Sequence, residues 1–161
     1  MMKKLITLAL LTVILVSCNF SKGINTDLTT GLTYSYNGFG VSKVKVLYKN
    51  SEPIKGKTHP KGSSLKIELH GVKNYTEENG KIYPGCSVAV TDKEGNVVLE
   101  SEDLYKDYKA TKKDFQVPYI TLDFGNSFSP GQEYTFNAHF FDKKNPENVI
   151  DIKLEFEVEQ K

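Results

Sequence analysis

Three histidines and two cysteines are the residues of this chain best suited to metal binding or nucleophilic catalysis. His59, His70 and His139 are widely separated, and each lies in a predicted loop or on the polar face of a predicted strand. Because a zinc site needs three or four convergent ligands, this spacing favours solvated histidines over a metal centre. Cys86 has no histidine near it in the sequence, and no Gly-x-Ser-x-Gly motif is present. We therefore predict no catalytic residue, no metal ligand and no cofactor.

Acidic residues crowd around one predicted hairpin: Asp92, Glu94, Glu100, Glu102 and Asp103. Carboxylates in loops bind calcium when several oxygen ligands converge. The segment lacks the spacing of an EF-hand, so ordinary turn chemistry in water is the favoured interpretation. The sequence leaves open whether a calcium ion binds near Asp92 and Glu94.

Nine tyrosines stand out in the composition. Five of them fall in or beside predicted loops: Tyr75, Tyr83, Tyr105, Tyr108 and Tyr119. An exposed tyrosine ring can stack on a sugar or contact a protein partner. The alternative is that these rings close the ends of a β-sheet core. We predict candidate binding contacts at Tyr75, Tyr83, Tyr105 and Tyr108.

The first 18 residues have the composition of an export signal. Two lysines precede an almost wholly apolar run over residues 5–16, and the small Ser17 stands before Cys18. This run is too short to span a hydrocarbon core of about 30 Å as a helix. Its ending, Leu15-Val16-Ser17-Cys18, resembles the lipobox of bacterial lipoproteins. The resemblance implies cleavage before Cys18, a diacylglyceryl thioether on its sulfur and acylation of the new amino group. A plain signal peptide is the alternative.

If Cys18 is lipidated, Cys86 is the one remaining thiol, and an intrachain disulfide is excluded. Cys86 alternates in phase with Val88 and Val90, so we predict that it is buried and unreactive. Residues 18–31 are polar and show no periodicity, which predicts a tether between the lipid and the folded domain. A dozen flexible residues would reach roughly 20 Å.

From residue 32 onward, apolar and polar residues alternate with period two, the pattern of strands with one buried face. Seven segments show it: 32–36, 44–48, 65–69, 86–90, 120–124, 134–140 and 150–158; the short apolar run 97–99, which follows a turn, is an eighth predicted strand. Gly95 lies in the loop between two of them and can supply the positive φ that a tight hairpin needs. Residues 100–115 form at most one helical turn and otherwise a loop. Short strands with turns between them favour an antiparallel sandwich or barrel.

The segment from Ser129 to Phe136 resembles the turn and strand that begin a late strand in fibronectin type III and other Ig-like domains. The resemblance implies that Tyr134 packs at the core edge and bonds back to the preceding loop, as in a tyrosine corner. We therefore predict an all-β fold, a single antiparallel Ig-like β-sandwich of about seven or eight strands over residues 32–161. The lipobox, the absence of arginine and the segment from Glu78 to Asn96 also resemble small, uncharacterised Bacteroidota lipoproteins, a group that implies no activity.

Removal of residues 1–17 from the 161-residue chain leaves 144 residues, about the size of one domain. Lys3 and Lys4 leave with this segment, so the formal net charge falls from +1 to −1. All 21 basic residues are lysine. Arginine is the preferred residue for phosphate recognition, and a near-neutral chain has little attraction for phosphates, so we predict no nucleic-acid partner.

These features together predict a lipid-anchored, non-catalytic binding module of the bacterial cell envelope. Long loops on a strand scaffold often carry function, so we predict that the binding surface lies on residues 74–85 and 100–117. The partner would be a protein or a glycan, and the lipid on Cys18 would add the membrane. We expect the protein to be anchored in the outer membrane. The sequence does not distinguish its periplasmic face from the cell surface. The alternatives are a structural subunit of an envelope complex and a hydrolase whose site only the fold assembles.

Overall fold

The computed structural model describes residues 21–159, so the predicted signal peptide and Cys18 lie outside the described residues. Ten strands follow one another, and no helix occurs between residues 21 and 159. The strands are β1 Lys22–Asp27, β2 Leu32–Asn37, β3 Lys43–Tyr48, β4 Thr58–His59, β5 Ser64–His70, β6 Pro84–Asp92, β7 Val97–Ser101, β8 Tyr119–Asp123, β9 Glu133–Asp142 and β10 Asn145–Val158.

The strands form two sheets, of seven and three strands. The order in the larger sheet is β1-β2-β10-β9-β6-β7, and β4 pairs with β10 as a short parallel extension. The smaller sheet has the order β3-β5-β8, and all its pairs are antiparallel. The prediction of an antiparallel all-β sandwich is confirmed, and each of the eight predicted segments matches a strand. β1 and β4 are the two strands that the sequence pattern does not show.

The core is built from the alternating positions that face between the sheets. On β5, Leu65, Ile67 and Leu69 are fully buried, and on β10 the side chains of Ile150 and Leu154 are fully buried as well. Full burial of a Leu, Ile or Phe side chain contributes roughly 1.5–3 kcal/mol, so this alternation supplies the main driving force for folding.

The prediction of a tether over residues 18–31 is wrong for β1. This segment pairs along its whole length with β2, from Lys22 opposite Asn37 to Asp27 opposite Leu32. β1 is an edge strand whose side chains face water, and Ile24 is 73% exposed. A strand with no buried face shows no alternation, which is why the sequence pattern misses it.

Two predicted loop features have the expected local structure. Gly95 has a φ of +89°, so it adopts the left-handed conformation that lets the chain reverse between β6 and β7. Tyr134 is 5% exposed, and its hydroxyl accepts a hydrogen bond of 2.7 Å from the Ser129 amide. Its ring contacts Phe128 at a centroid distance of 5.1 Å. This is the contact that the Ig-like resemblance implies.

The chain joins the sandwich at one end, which we call the Ser21 end. The Ser21 carbonyl accepts a 2.8 Å hydrogen bond from the Gly38 amide, and a bridge between Gly40 and Lys73 links neighbouring connections there. The strand registers place four connections at this end: 38–42, 71–83, 102–118 and 143–144. The turns 28–31, 93–96 and 124–132 lie at the opposite end.

Candidate functional site

A groove lies at the Ser21 end, between the connection 102–118 and strand β8. Its volume is about 480 Å³. We call it the tyrosine groove, and its lining is Leu104, Tyr105, Tyr108, Asp114, Phe115, Val117, Pro118, Tyr119, Ile120 and Thr121. The lining is mainly apolar and aromatic, with one carboxylate and one hydroxyl from threonine, a composition suited to binding rather than to acid–base chemistry.

The rim of the tyrosine groove exposes apolar side chains that would normally be buried. Leu104, Tyr108, Val117 and Tyr119 are 47%, 42%, 43% and 53% exposed. They are half of the large, exposed apolar side chains between residues 21 and 159, and they meet on one surface. Phe115 lies buried beneath them, with its ring centroid 5.4 Å from that of Tyr108. Exposed apolar patches are typical of interaction surfaces, so the groove is a candidate site.

Tyr105 ties the two sheets together at the groove. Its hydroxyl donates a 3.0 Å hydrogen bond to the carbonyl of Tyr119, at the outer edge of β8. The ring stands edge-on to Phe115 and Phe140, with centroid distances of 5.4 and 6.1 Å. Burial is the main cause that raises the pKa of the Tyr105 phenol well above its usual range, so the hydroxyl stays a hydrogen-bond donor. These contacts fix the Tyr105 side chain between the connection and β8.

The backbone on either side of Tyr105 is fixed by two charged residues. One carboxylate oxygen of Asp103 accepts hydrogen bonds from the amides of Cys86 and Tyr105, at 3.0 and 2.8 Å. Desolvation raises the pKa of Asp103, but the hydrogen bonds from Lys143 and from these amides outweigh it and lower the pKa below its usual value. Asp103 is therefore ionised at neutral pH and anchors the start of the connection.

Two of the four predicted binding tyrosines, Tyr105 and Tyr108, lie together in the groove, where Tyr119 joins them. The prediction for Tyr75 is wrong, because this residue is 6% exposed and its ring packs edge-on against Phe39 at 4.9 Å. Tyr75 instead fits the alternative interpretation, in which the tyrosine ring closes one end of the core. Tyr83 lies outside the groove lining, with the Lys144 ammonium 4.7 Å above its ring.

Leu104, Phe115 and Val117 line the groove and lie within the predicted contact segment 100–117, but the prediction did not name them as binding residues. Leu104 and Phe115 stand out in the sequence only as apolar residues of a segment that is otherwise polar and lacks strand periodicity. The structure shows why: the connection itself is neither a strand nor a helix. Its buried and exposed residues therefore do not recur at a regular spacing in the sequence.

Cys86 is fully buried, as its phase with the neighbouring valines predicts. Burial, followed by the nearby Asp103 carboxylate, raises the pKa of its thiol to about 12. The thiol lies 3.7 Å from the carbonyl of Ser87, which it reaches as a weak donor. A nucleophilic cysteine needs a lowered pKa and access to substrate, and Cys86 has neither.

The prediction of solvated histidines is wrong for His59. This residue is fully buried, stacked on Phe124 at 5.8 Å, and one ring nitrogen, Nδ1, lies 3.0 Å from the Tyr48 hydroxyl. The other, Nε2, has no hydrogen-bond partner among the described residues. His70 is partly buried, and His139 is exposed. Sequence alternation could not show the burial of His59, because β4 is only two residues long.

A polar depression of about 570 Å³ lies on the outer face of the larger sheet. Ser87, His139 and Asp151 stand side by side there on adjacent strands, and the His139 ring nitrogen lies 2.7 Å from the Asp151 carboxylate. The set resembles a catalytic triad only in residue type. The described contacts include no hydrogen bond between Ser87 and His139, and the amides of the three strands are engaged in the sheet. Without a hydrogen bond between the serine and the histidine, the three residues do not form the connected chain of a catalytic triad.

Within residues 21–159 no three His, Cys, Asp or Glu side chains are grouped so that they could hold a metal ion. The Asp92 carboxylate instead accepts two hydrogen bonds of 2.8 Å from Asn96, one from its amide and one from its side chain, which close the β6–β7 turn. The same part of the chain contains no helix with the length and hydropathy needed to cross a bilayer.

Comparison of the chain with protein-family models and with curated proteins finds no match.

Proposed function

We propose that the protein is a lipid-anchored interaction module of the bacterial cell envelope, with the tyrosine groove as its contact surface. The observation that supports this proposal is the convergence of four exposed apolar side chains on one groove at the Ser21 end. Exposing such a surface to water is unfavourable for an isolated domain, and covering it by a partner removes that cost.

The groove has the rigidity expected of a binding surface. Tyr105 bonds to the backbone of β8, and Asp103 and Lys143 hold the backbone beside it. A surface fixed in this way loses little conformational freedom when a partner binds, so more of the interaction free energy appears as affinity.

The envelope location rests on the first 18 residues of the sequence. Leu15-Val16-Ser17-Cys18 would direct lipidation of Cys18, and we expect the outer membrane as the final location. The domain would then act on components of the envelope within a short distance of the bilayer, where confinement raises the effective concentration of a partner.

The proposal is tested in two steps on the full chain expressed in a bacterium. First, an alkyne-labelled fatty acid should label the wild-type protein and not a Cys18→Ser variant. Second, a photo-cross-linking amino acid at position 108 should give a defined adduct, whereas the same amino acid at Val97, which is 57% exposed and outside the groove, should not. Equal labelling of the wild-type protein and the Cys18→Ser variant would contradict the proposal. Equal cross-linking at positions 108 and 97 would contradict it as well.

A second candidate function is that of a structural subunit in an envelope complex. It is favoured by β7, which forms one edge of the larger sheet and exposes Val97 and Leu99. An exposed apolar edge strand is a template for pairing with another chain. Native electrophoresis of gently solubilised membranes separates the two: a discrete large complex that a Leu99→Lys variant abolishes supports this candidate, and a monomer argues against it.

A further inference from the structure

We propose that the partner of the tyrosine groove is the bilayer that carries the anchor, and that the Ser21 end of the sandwich rests on its surface. This inference depends on the proposed lipidation of Cys18. Four observations support it: the length of chain between Cys18 and the fold, the position of the groove, the chemistry of its rim and the absence of a comparable surface at the opposite end.

The chain between Cys18 and the sandwich is very short. Ser21 is already fixed by its carbonyl, which accepts a hydrogen bond from the Gly38 amide. Three residue steps separate it from Cys18, and a fully extended chain covers about 10 Å in that number of steps. A lipidated Cys18 lies at the membrane surface, so Ser21 would be held within about 10 Å of the lipid headgroups, with the Gly38 turn bonded to it.

The tyrosine groove lies at this same end. Tyr119 pairs with Glu68, two residues before the end of β5 at His70, and His70 pairs with Lys43 just after the 38–42 connection. The Leu104 amide bonds to the carbonyl of Cys86, near the start of β6. The groove and the point where the chain enters the sandwich therefore lie at the same end of the sandwich, and a short anchor would bring that end to the bilayer.

The rim of the groove has the chemistry of a membrane interface. Leucine and valine are stabilised by the acyl region, and tyrosine is favoured at the boundary because its ring is apolar and its hydroxyl is polar. Lys106, Lys109 and Lys113 on the same connection are exposed, and their long side chains can reach the headgroups. Asp107 and Asp114 offset most of their charge. We infer that apolar contact dominates and that docking depends weakly on salt.

The opposite end of the sandwich has no equivalent surface among the described residues. Its exposed apolar side chains include Leu28 and Val97, which are 84% and 57% exposed. Leu28 adjoins β1 and Val97 begins β7, and these strands are the two outer edges of the larger sheet. The two side chains are too far apart to form one patch, so the apolar contact is specific to the Ser21 end.

The absence of tryptophan from the chain makes a direct test available. Single Tyr108→Trp and Tyr119→Trp variants report on the groove, and Val97→Trp is a control of similar exposure. Val97 pairs with Thr91, five residues along β6 from Cys86, so it lies about 16 Å farther from the Ser21 end than Leu104 does. Each lipidated full-length variant is reconstituted in vesicles of phosphatidylcholine and phosphatidylglycerol, with and without brominated acyl chains.

We expect bromine to reduce the tryptophan emission of the two groove variants by about half, since interfacial side chains insert roughly 5–10 Å into the boundary region. The emission of Val97→Trp should stay unchanged. A protein that floats with the vesicles while all three tryptophans remain unquenched would overturn the docking inference and leave the anchor intact, with a protein partner as the remaining occupant. A chain that carries no lipid and stays in the soluble fraction would overturn both.

Discussion

The ammonium group of Lys143 lies 2.8 Å from the carboxylate of Asp103, with 25% and 16% of the two side chains exposed. The same ammonium donates hydrogen bonds to the carbonyls of Tyr105 and Lys106, at 2.6 and 2.9 Å. Lys143 belongs to the turn between β9 and β10, so one side chain connects this hairpin to the connection that forms the tyrosine groove. The position of Tyr105 therefore depends on a residue about 40 positions away in sequence.

Replacement of Lys143 by methionine should destabilise the protein by about 1.5–3 kcal/mol, because it removes charge-assisted hydrogen bonds and leaves the partly buried Asp103 without its cation. The measurement is urea-induced unfolding. Lys144→Met is the matched control, since the Lys144 ammonium bonds to Glu78 at a more exposed position and should cost less than about 1 kcal/mol. Equal losses of unfolding free energy in the two variants would show that the contacts of Lys143 contribute no more to stability than the exposed ion pair of Lys144.

Replacement of Tyr105 by phenylalanine should lower the free energy of unfolding by about 0.5–1.5 kcal/mol, because the Tyr119 carbonyl loses its hydrogen-bond donor. Tyr108→Phe, on the exposed rim, is the control and should change stability by less than about 0.5 kcal/mol. Amide hydrogen exchange along residues 117–121 should accelerate in the Tyr105 variant alone. Unchanged exchange in that variant would argue against Tyr105 as the link between the two sheets.

The sequence predicts the strands that carry an alternating pattern or a short apolar run, and it misses the two that carry neither. β10 alternates over most of its length, so both its position and its buried side are predictable. β1 is exposed along its length and β4 is two residues long, so neither leaves a periodic signal. Both are defined by pairing with distant strands, a long-range property that local patterns do not contain.

The candidate site is predictable in part for a similar reason. The tyrosines of the 102–118 connection mark the region of the groove, but residue type alone does not distinguish Tyr108 at the rim from Tyr75 in the core. That distinction depends on whether neighbouring elements cover the ring. Phe39, Phe115 and Phe140 surround Tyr75, and they come from three separate segments of the chain.

Replacement of Tyr75 by phenylalanine should leave stability unchanged or raise it by up to about 1 kcal/mol. The Tyr75 hydroxyl is buried with no hydrogen-bond partner among the described residues, so its removal relieves a desolvation cost. Tyr75→Ala should instead cost about 3–5 kcal/mol, because it leaves a cavity among the phenylalanine rings. Thermal unfolding of both variants measures the difference. A marked loss of stability in Tyr75→Phe would reveal a partner for the hydroxyl.

The Cys86 thiol should not react with a disulfide reagent at pH 8 while the protein is folded. It is fully buried, and the raised pKa of about 12 leaves almost no thiolate at that pH. In urea the same thiol should react within minutes. A Val97→Cys variant, with an exposed position on β7, should react at once in the folded state. Peptide mass spectrometry identifies the modified residue, and rapid native modification at Cys86 would contradict its assignment to the core.

His59 should make stability depend on pH. Burial lowers its pKa below the ordinary 6.5, so the folded state favours the neutral ring. As pH falls below about 6.5, the unfolded chain binds a proton before the folded chain does, and the free energy of unfolding decreases. The slope is at most about 1.4 kcal/mol per pH unit, and the loss levels off below the folded-state pKa. Urea unfolding between pH 5 and 8 should show this slope in wild type and in His139→Gln, which removes an exposed histidine, but not in His59→Phe. A slope that persists in His59→Phe would assign the titration to another group.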